Sequence, residues 1–277
     1  MLYWSTQMKE WPCPRSASRD VVLALSGGAA RCVAHVGVLQ ALVEAGIPLA
    51  GIVGTSGGAV VGALFASGRY SLEHIANIAR DLSWRRLAAP ALSRRGFLSS
   101  ARLGRLIRTW IGEVNFAELR LPLLAVACEL PSGQKIILSK GQVARAVQAS
   151  CSLPVVFTPT TIEGKVLVDG GAVSQLPVAA ARSSFPSSVV VGVDVNVGAA
   201  ESARLTNCVQ IGIHVVSLFA RFNAGLERRE ADVMIDVDAS GVALYDLRKA
   251  DLMIRRGREA ADSALGSIRK ALAQQEK

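Results

Sequence analysis

The sequence feature that most constrains this chain is an apolar run that ends in Gly-Thr-Ser-Gly-Gly and continues as small residues, over positions 52–63. A strand, a sharp turn and a helix in this order form a nucleophile elbow, with Ser56 at its tip. So tight a turn strains the serine backbone, and its neighbours must be almost free of side chains. Gly54, Gly57 and Gly58 meet that requirement. The alternative interpretation is a glycine-rich turn between a strand and a helix, without chemistry.

A second glycine-rich loop precedes this elbow. An apolar run at 21–25 predicts a buried strand, and Ser-Gly-Gly-Ala-Ala-Arg-Cys follows it at 26–32. A dinucleotide-binding loop would need G-x-G-x-x-G and an acid after the second strand, and this sequence has neither. The loop is better suited to an oxyanion hole, in which backbone N–H groups bind an oxygen that becomes negative during acyl transfer. Arg31 would add charge there or hold the loop.

A third motif closes the apolar strand that ends near residue 168. Asp169 comes at its end and is followed by Gly170 and Gly171. A carboxylate with so little bulk behind it can approach another group closely. The alternative is an Asp-Gly turn of the kind found in many sheet proteins.

Strands and helices alternate along the rest of the chain. This pattern predicts an α/β fold with three layers, α/β/α, around a central and mostly parallel sheet. With 277 residues and no linker composition, residues 20–277 are expected to form a single domain. Residues 1–19 are polar and broken by Pro12 and Pro14, which predicts a flexible N-terminal tail.

The cysteines and the hydropathy indicate the compartment. The five cysteines are scattered and no two form a Cys-x-x-Cys pair, which argues against a disulfide framework and against a zinc site. No run of 18 uninterrupted apolar residues occurs, so no membrane-spanning helix is expected. We therefore expect a cytoplasmic protein with no metal or organic cofactor.

Positive charge is concentrated between residues 80 and 110, where eight arginines face a single acidic residue, Asp81. A basic cluster attracts anionic partners, which include phospholipid headgroups, nucleic acid and acidic substrates. Neither interleaved aromatic residues nor a groove-reading motif supports nucleic acid. Segment 84–110 is thus predicted to be a basic cap near the site, with peripheral contact to an anionic membrane. A solubilising helix face is the alternative.

Together, the motifs resemble the patatin-like phospholipase family. The stretch 25–39 resembles its glycine-rich oxyanion loop and first helix, the Gly-Thr-Ser-Gly-Gly at 54–58 its serine elbow, and the Leu-Val-Asp-Gly-Gly at 167–171 its Asp-Gly-Gly/Ala motif. The Ala-Ser-Cys-Ser-Leu-Pro at 149–154 resembles a segment that the family places shortly before that aspartate. The resemblance covers about residues 20–200.

The resemblance implies a patatin-like fold and a serine lipid acyl hydrolase that acts on phospholipid or lysophospholipid esters. Ser56 would be the nucleophile and Asp169 the general base of a dyad without histidine. The oxyanion donors would be the backbone N–H groups of Gly27, Gly28 and Ala29. The acyl-enzyme would then be hydrolysed by water.

The loop departs from the family pattern at two positions. The family has glycine where this chain has Ala29 and Cys32. Ala29 is expected to fit if its φ is negative, whereas the Cys32 side chain is expected to crowd the loop or tilt the helix and so lower activity.

Two other functions are consistent with the sequence. A Ser-His-Asp esterase could use His214, which follows Ser56 and Asp169 in the order found in α/β-hydrolases. Alternatively, the chain could be a catalytically weak or inactive protein of this fold with a regulatory, membrane-associated role.

Overall fold

The structure is a computed structural model that describes residues 20–87, 89–90, 96–199 and 205–274. The predicted tail, residues 1–19, lies outside the described residues. So do residues 88 and 91–95 of the predicted basic cap.

The described strands fall into one large sheet and one short hairpin. They are β1 Val21–Leu25, β2 Leu49–Thr55, β3 Ala89–Pro90, β4 Leu98–Ser99, β5 Leu123–Glu129, β6 Lys135–Leu138, β7 Thr160–Ile162, β8 Lys165–Asp169, β9 Val189–Val197 and β10 Val233–Asp238. The large sheet has the order β10-β9-β1-β2-β5-β8-β7, with β6 also paired to β5. From β10 to β5 all neighbours are parallel, whereas β6, β7 and β8 pair antiparallel. The sheet predicted as mostly parallel is therefore parallel from β10 to β5 and has an antiparallel edge.

Helices cover both faces of this sheet. They are α1 Ala34–Glu44, α2 Gly57–Ala66, α3 Leu72–Arg80, α4 Trp84–Leu87, α5 Ala101–Ile111, α6 Val143–Ser150, α7 Val178–Ser184, α8 Cys208–Glu227 and α9 Ala250–Gln274. One core joins the odd positions of β1 to α1, α2 and α9, and a second joins its even positions to α7 and α8. Because both faces of β1 are buried, its sequence is one continuous apolar run. The predicted three-layer α/β/α architecture is confirmed.

Strand β5 brings two distant parts of the chain together. It pairs with β2 through Leu123–Val126 and with β8 through Ala127–Glu129. Since β6 pairs with one side of β5, β2 and β8 share the other side, where they run towards each other. They end at consecutive β5 residues, because Thr55 is paired with Val126 and Asp169 with Ala127.

Two surface segments matter for the site. Within the basic cap, the structure describes the short helix α4, the antiparallel pair of β3 and β4, and helix α5. Within the described residues, one helical segment, Cys208–Glu230, is long and apolar enough to cross a membrane by length and composition alone. Its contacts, described below, attach one side of it to the protein.

Candidate active site

Ser56 occupies the turn between β2 and α2 in a strained backbone conformation, with φ of 53° and ψ of −124°. Such a conformation costs on the order of 1–3 kcal/mol and persists only when its surroundings enforce it. The Ser56 N–H donates to the Ser150 Oγ at 2.8 Å, and the Ser150 hydroxyl donates to the Val126 carbonyl at 2.6 Å. These two hydrogen bonds tie the turn to β5.

The elbow glycines allow close contacts between backbone segments. A Cβ on Gly54 would lie 2.6 Å from the Ala59 nitrogen, and one on Gly58 would lie 2.5 Å from the Leu25 carbonyl oxygen. Since real Cβ atoms do not approach so closely, a side chain at either position would separate α2 from the strands. A Cβ on Gly57 would lie 2.6 Å from the Cys32 Sγ.

Asp169 is buried where β8 ends, with 4% of its surface exposed. Its Oδ1 accepts a hydrogen bond from the Gly171 N–H at 2.8 Å. Burial raises the pKa of this carboxyl from 3.8 to about 6, and hydrogen bonding from the Ser56 side chain and the Gly171 N–H only partly offsets the increase. At neutral pH the group is therefore ionised, yet it is a stronger base than an ordinary aspartate.

The loop after β1 carries the three N–H groups predicted as oxyanion donors, those of Gly27, Gly28 and Ala29. The Gly27 N–H donates to the Gln175 carbonyl at 2.9 Å, so it has no capacity left for an acyl oxygen, which corrects the prediction for Gly27. Among the described residues, the N–H groups of Gly28 and Ala29 have no hydrogen-bond acceptor. Both residues line the same cavity as Ser56.

Ala29 and Cys32 adapt to the loop in different ways. Ala29 has φ of +46°, so the condition stated for an easy fit, a negative φ, is not met, and the left-handed conformation costs about 1–2 kcal/mol. Cys32 is buried beside Gly57, its Sγ donates to the Ser26 carbonyl at 3.5 Å, and α1 begins two residues later. The thiol thus fills space that Gly57 leaves. Burial, and next the Asp169 carboxylate, raises the pKa of this thiol, which keeps it protonated.

Arg31 is almost fully buried behind the same loop. Its Nε donates to the Val242 carbonyl at 3.0 Å and its Nη1 donates to the Asn196 Oδ1 at 3.4 Å. The Asn196 side chain in turn donates to the Gly27 carbonyl at 2.8 Å. Of the two roles expected for Arg31, these bonds correspond to holding the loop.

The three histidines lie in different surroundings. His35 is fully buried with its Nε2 2.9 Å from the Ser26 carbonyl oxygen, and burial lowers its pKa to about 4. His74, in α3, stacks on the ring of Tyr70, which precedes that helix. His214 lies on α8, and although the next turns of this helix line the cavity that contains Ser56, His214 does not.

A cavity of about 190 Å³ contains both Ser56 and Asp169. Its lining is mostly apolar, and the side chains from α2, α3 and α5 include Val60, Val61, Leu64, Ile75, Ile78 and Leu103. The α2 residues extend about 12 Å from Ser56 to Leu64, at 1.5 Å per residue. Leu87, Leu103 and Trp110 place the basic cap segment in the cavity wall. Among the described residues, no cluster of three metal-ligating side chains occurs.

Three residues of the site were not predicted individually. Ser150 belongs to the Ala-Ser-Cys-Ser-Leu-Pro segment, whose position before Asp169 was the available signal. Asn196 follows the apolar part of β9, where polar residues at the carboxyl end of a parallel strand indicate a site. Gln175 packs its side-chain oxygen against Gly27 and Gly171, and nothing in the local sequence predicts that contact.

A family comparison agrees with this geometry. The patatin-like phospholipase family model matches residues 23–182, which include the glycine-rich loop at 26–32, the serine elbow and Asp169. The chain belongs to the patatin-like phospholipase family. The resemblance stated from the motifs is thereby confirmed.

Several relatives of this patatin-like protein have known sequences or structures. An uncharacterized NTE family protein of Mycobacterium tuberculosis is 37% identical over 192 residues, which is 68% of this chain and 52% of the relative. The patatin-like phospholipase domain-containing protein 7 of Mus musculus is 34% identical over 204 residues, 68% of this chain and 14% of that protein. The chain thus spans about half the length of the mycobacterial relative. The crystal structure of VipD from Legionella pneumophila superposes with a TM-score of 0.64 at 15% identity, over 93% of this chain and 67% of VipD, which confirms the fold.

Proposed function

We propose that this protein is a serine lipid acyl hydrolase that cleaves phospholipid or lysophospholipid esters. The observation that carries the proposal is the meeting of β2 and β8 on β5, which places Ser56 and Asp169 side by side in one cavity. The apolar lining along α2 suits an acyl chain, whose transfer from water is favourable.

Asp169 would act as general base and Ser56 as nucleophile. As the carboxylate takes the hydroxyl proton, the Ser56 Oγ attacks the ester carbonyl carbon. The N–H groups of Gly28 and Ala29, with the N-terminal end of α2, stabilise the oxyanion that forms. Protonated Asp169 then gives its proton to the departing alcohol, which leaves an acyl-Ser56 intermediate.

A second round of the same chemistry completes the reaction. Asp169 takes a proton from water, whose oxygen attacks the acyl carbon, and Ser56 recovers its proton as the fatty acid leaves. The raised pKa of Asp169 serves both halves of the cycle, because the group must be ionised at rest and must accept a proton in each attack.

The proposal is tested with a short-chain nitrophenyl ester and a phospholipid as substrates. Ser56→Ala and Asp169→Asn are each expected to lose activity on both substrates, by about 10⁴-fold or more for the serine. The double variant should be no worse than the single ones, because residues of one catalytic unit are not additive. Ser263→Ala, on the exposed face of α9, is the matched control.

Fluorophosphonate labelling separates the alternatives. Labelling of the wild type that disappears in Ser56→Ala supports the proposal. A wild type without labelling or activity contradicts it and favours the inactive protein, in which Ala29 is the first residue to examine. A large loss of hydrolysis in His214→Ala, with Asp169→Asn still active, would instead establish a histidine triad.

A further inference from the structure

Helix α8 exposes a continuous apolar face. Six of its large apolar side chains are between 41% and 66% exposed: Ile211, Val215, Leu218, Phe219, Phe222 and Leu226. Their spacing of three and four residues puts them on one side of the helix. A continuous exposed face of six large apolar side chains is typical of an interaction site.

The opposite side of α8 is attached to the protein by polar contacts that are buried or partly buried. The Asn223 side chain donates to the Ala172 carbonyl at 2.8 Å. The Glu227 carboxylate accepts from the Ser174 hydroxyl at 2.7 Å and from the Lys135 ammonium at 2.9 Å. Because these contacts hold one side of the helix, the apolar side stays outward and the helix does not need to cross a membrane.

The same helix borders the candidate active site. Val216, Ser217, Ala220 and Arg221 line the cavity that contains Ser56. One wall of the cavity is thus formed by the element that carries the exposed apolar face. Whatever lies against this face lies next to the cavity.

The charge along the helix favours an anionic lipid surface over a second copy of the chain. Between Leu205 and Leu226 the sequence contains no Asp or Glu, and Arg221 is its only Lys or Arg. The whole chain carries a net charge of +9, so two copies repel each other, whereas an anionic bilayer attracts either one.

We infer that this face of α8 docks on an anionic lipid bilayer, with Phe219 and Phe222 inserted among the acyl chains, and so presents the cavity to membrane lipids. A helix held in the interface plane by a row of apolar side chains binds in proportion to the apolar area it buries. The inference deepens the proposed function and rests on it for the role of the lipid as substrate. The docking itself does not depend on turnover.

Vesicle binding tests the inference in the Ser56→Ala background, where no lipid is consumed. The probes are vesicles of phosphatidylcholine with and without phosphatidylglycerol, and binding is measured by co-sedimentation. Phe219→Ser combined with Phe222→Ser removes the two most exposed aromatic side chains of the helix and adds no charge. Leu130→Ser, at an exposed apolar residue in the turn after β5, is the matched control.

The Ser56→Ala parent is expected to bind the anionic vesicles. The double variant should bind about a hundredfold more weakly, since burial of each phenylalanine contributes about a factor of ten. Leu130→Ser should bind like the parent, and circular dichroism should show all variants folded. Absence of binding by the parent, or equal binding by the double variant, would overturn the inference. So would a dimer in light scattering that the same two substitutions dissociate, because a second copy would then cover the face. Failure of the ester assays alone would contradict only the proposed hydrolysis.

Discussion

Asparagine in place of Asp169 is expected to stabilise the folded protein while it removes hydrolysis. The folded-state pKa of Asp169 is about 6, against an ordinary value of 3.8, so the folded protein binds this proton more tightly than the unfolded chain does. At about 1.4 kcal/mol per pKa unit, the ionised carboxylate costs the folded state about 3 kcal/mol at pH 8. Asparagine carries no charge there and keeps an oxygen for the Gly171 N–H.

The stability difference between Asp169→Asn and wild type is expected to grow as the pH rises. A folded-state pKa above the unfolded one contributes stability that is fully present below about pH 4 and is lost as the pH rises through about 6. Asp169→Asn should therefore be about 3 kcal/mol more stable than the wild type at pH 8 and nearly equal to it at pH 4. Urea unfolding at pH values between 4 and 8 measures both differences.

The control for this experiment is Asp262→Asn in α9. It also neutralises an acidic side chain, but this side chain is exposed. It should change stability by less than about 0.5 kcal/mol at every pH. Equal stability of Asp169→Asn and wild type at pH 8 would refute the reasoning. A gain that stays constant down to pH 4 would also refute it, because the cause would then be packing rather than the buried charge.

Three further predictions follow from the site. The kcat/KM for a neutral ester should rise about tenfold per pH unit up to about pH 6 and then level off, since only ionised Asp169 is a base; a profile without this limb would count against the role. Ala29→Gly should raise the free energy of unfolding by about 1 kcal/mol, because glycine adopts the left-handed conformation without strain. Part of this stabilisation is offset, because glycine also increases the conformational entropy of the unfolded chain. Thermal unfolding measures the difference, and a destabilised variant would contradict the prediction. Ser150→Ala should cost about 1–3 kcal/mol by leaving the Ser56 N–H and the Val126 carbonyl without their partner. It should also lower kcat more than it raises KM, and kinetics with an unchanged kcat would show that Ser150 has a structural role only.

Much of the fold could be predicted because its signals are local. The run at 21–25 is apolar at every position since both faces of β1 are buried, and the Glu163-Gly164 turn marks the β7–β8 hairpin. The antiparallel pairing of β8 with β5 could not be predicted in the same way. It depends on contacts between strands about 40 residues apart in the sequence, and strand order leaves no local pattern.

In the candidate site too, the residues with a local sequence signal could be predicted and the others could not. Ser56 and Asp169 could be proposed because each is flanked by glycines, which allow backbone segments to approach closely. The occupied N–H of Gly27 was not predicted, since its acceptor is the carbonyl of Gln175, far along the chain. The positive φ of Ala29 could not be predicted either, because a run of small residues does not specify the sign of φ.

Because β2 and β8 meet head-on along β5, the backbone of β5 fixes the distance between Ser56 and Asp169, the two residues that react in the proposed mechanism. Their separation is set by consecutive backbone positions of one strand, so it is insensitive to the size of the surrounding side chains. The cavity wall can therefore change, and with it the lipid that the proposed hydrolase would accept, without altering the spacing of Ser56 and Asp169. A one-residue deletion within β5 would have the opposite effect: it would shift the register and separate Ser56 from Asp169 while the core composition stayed almost unchanged.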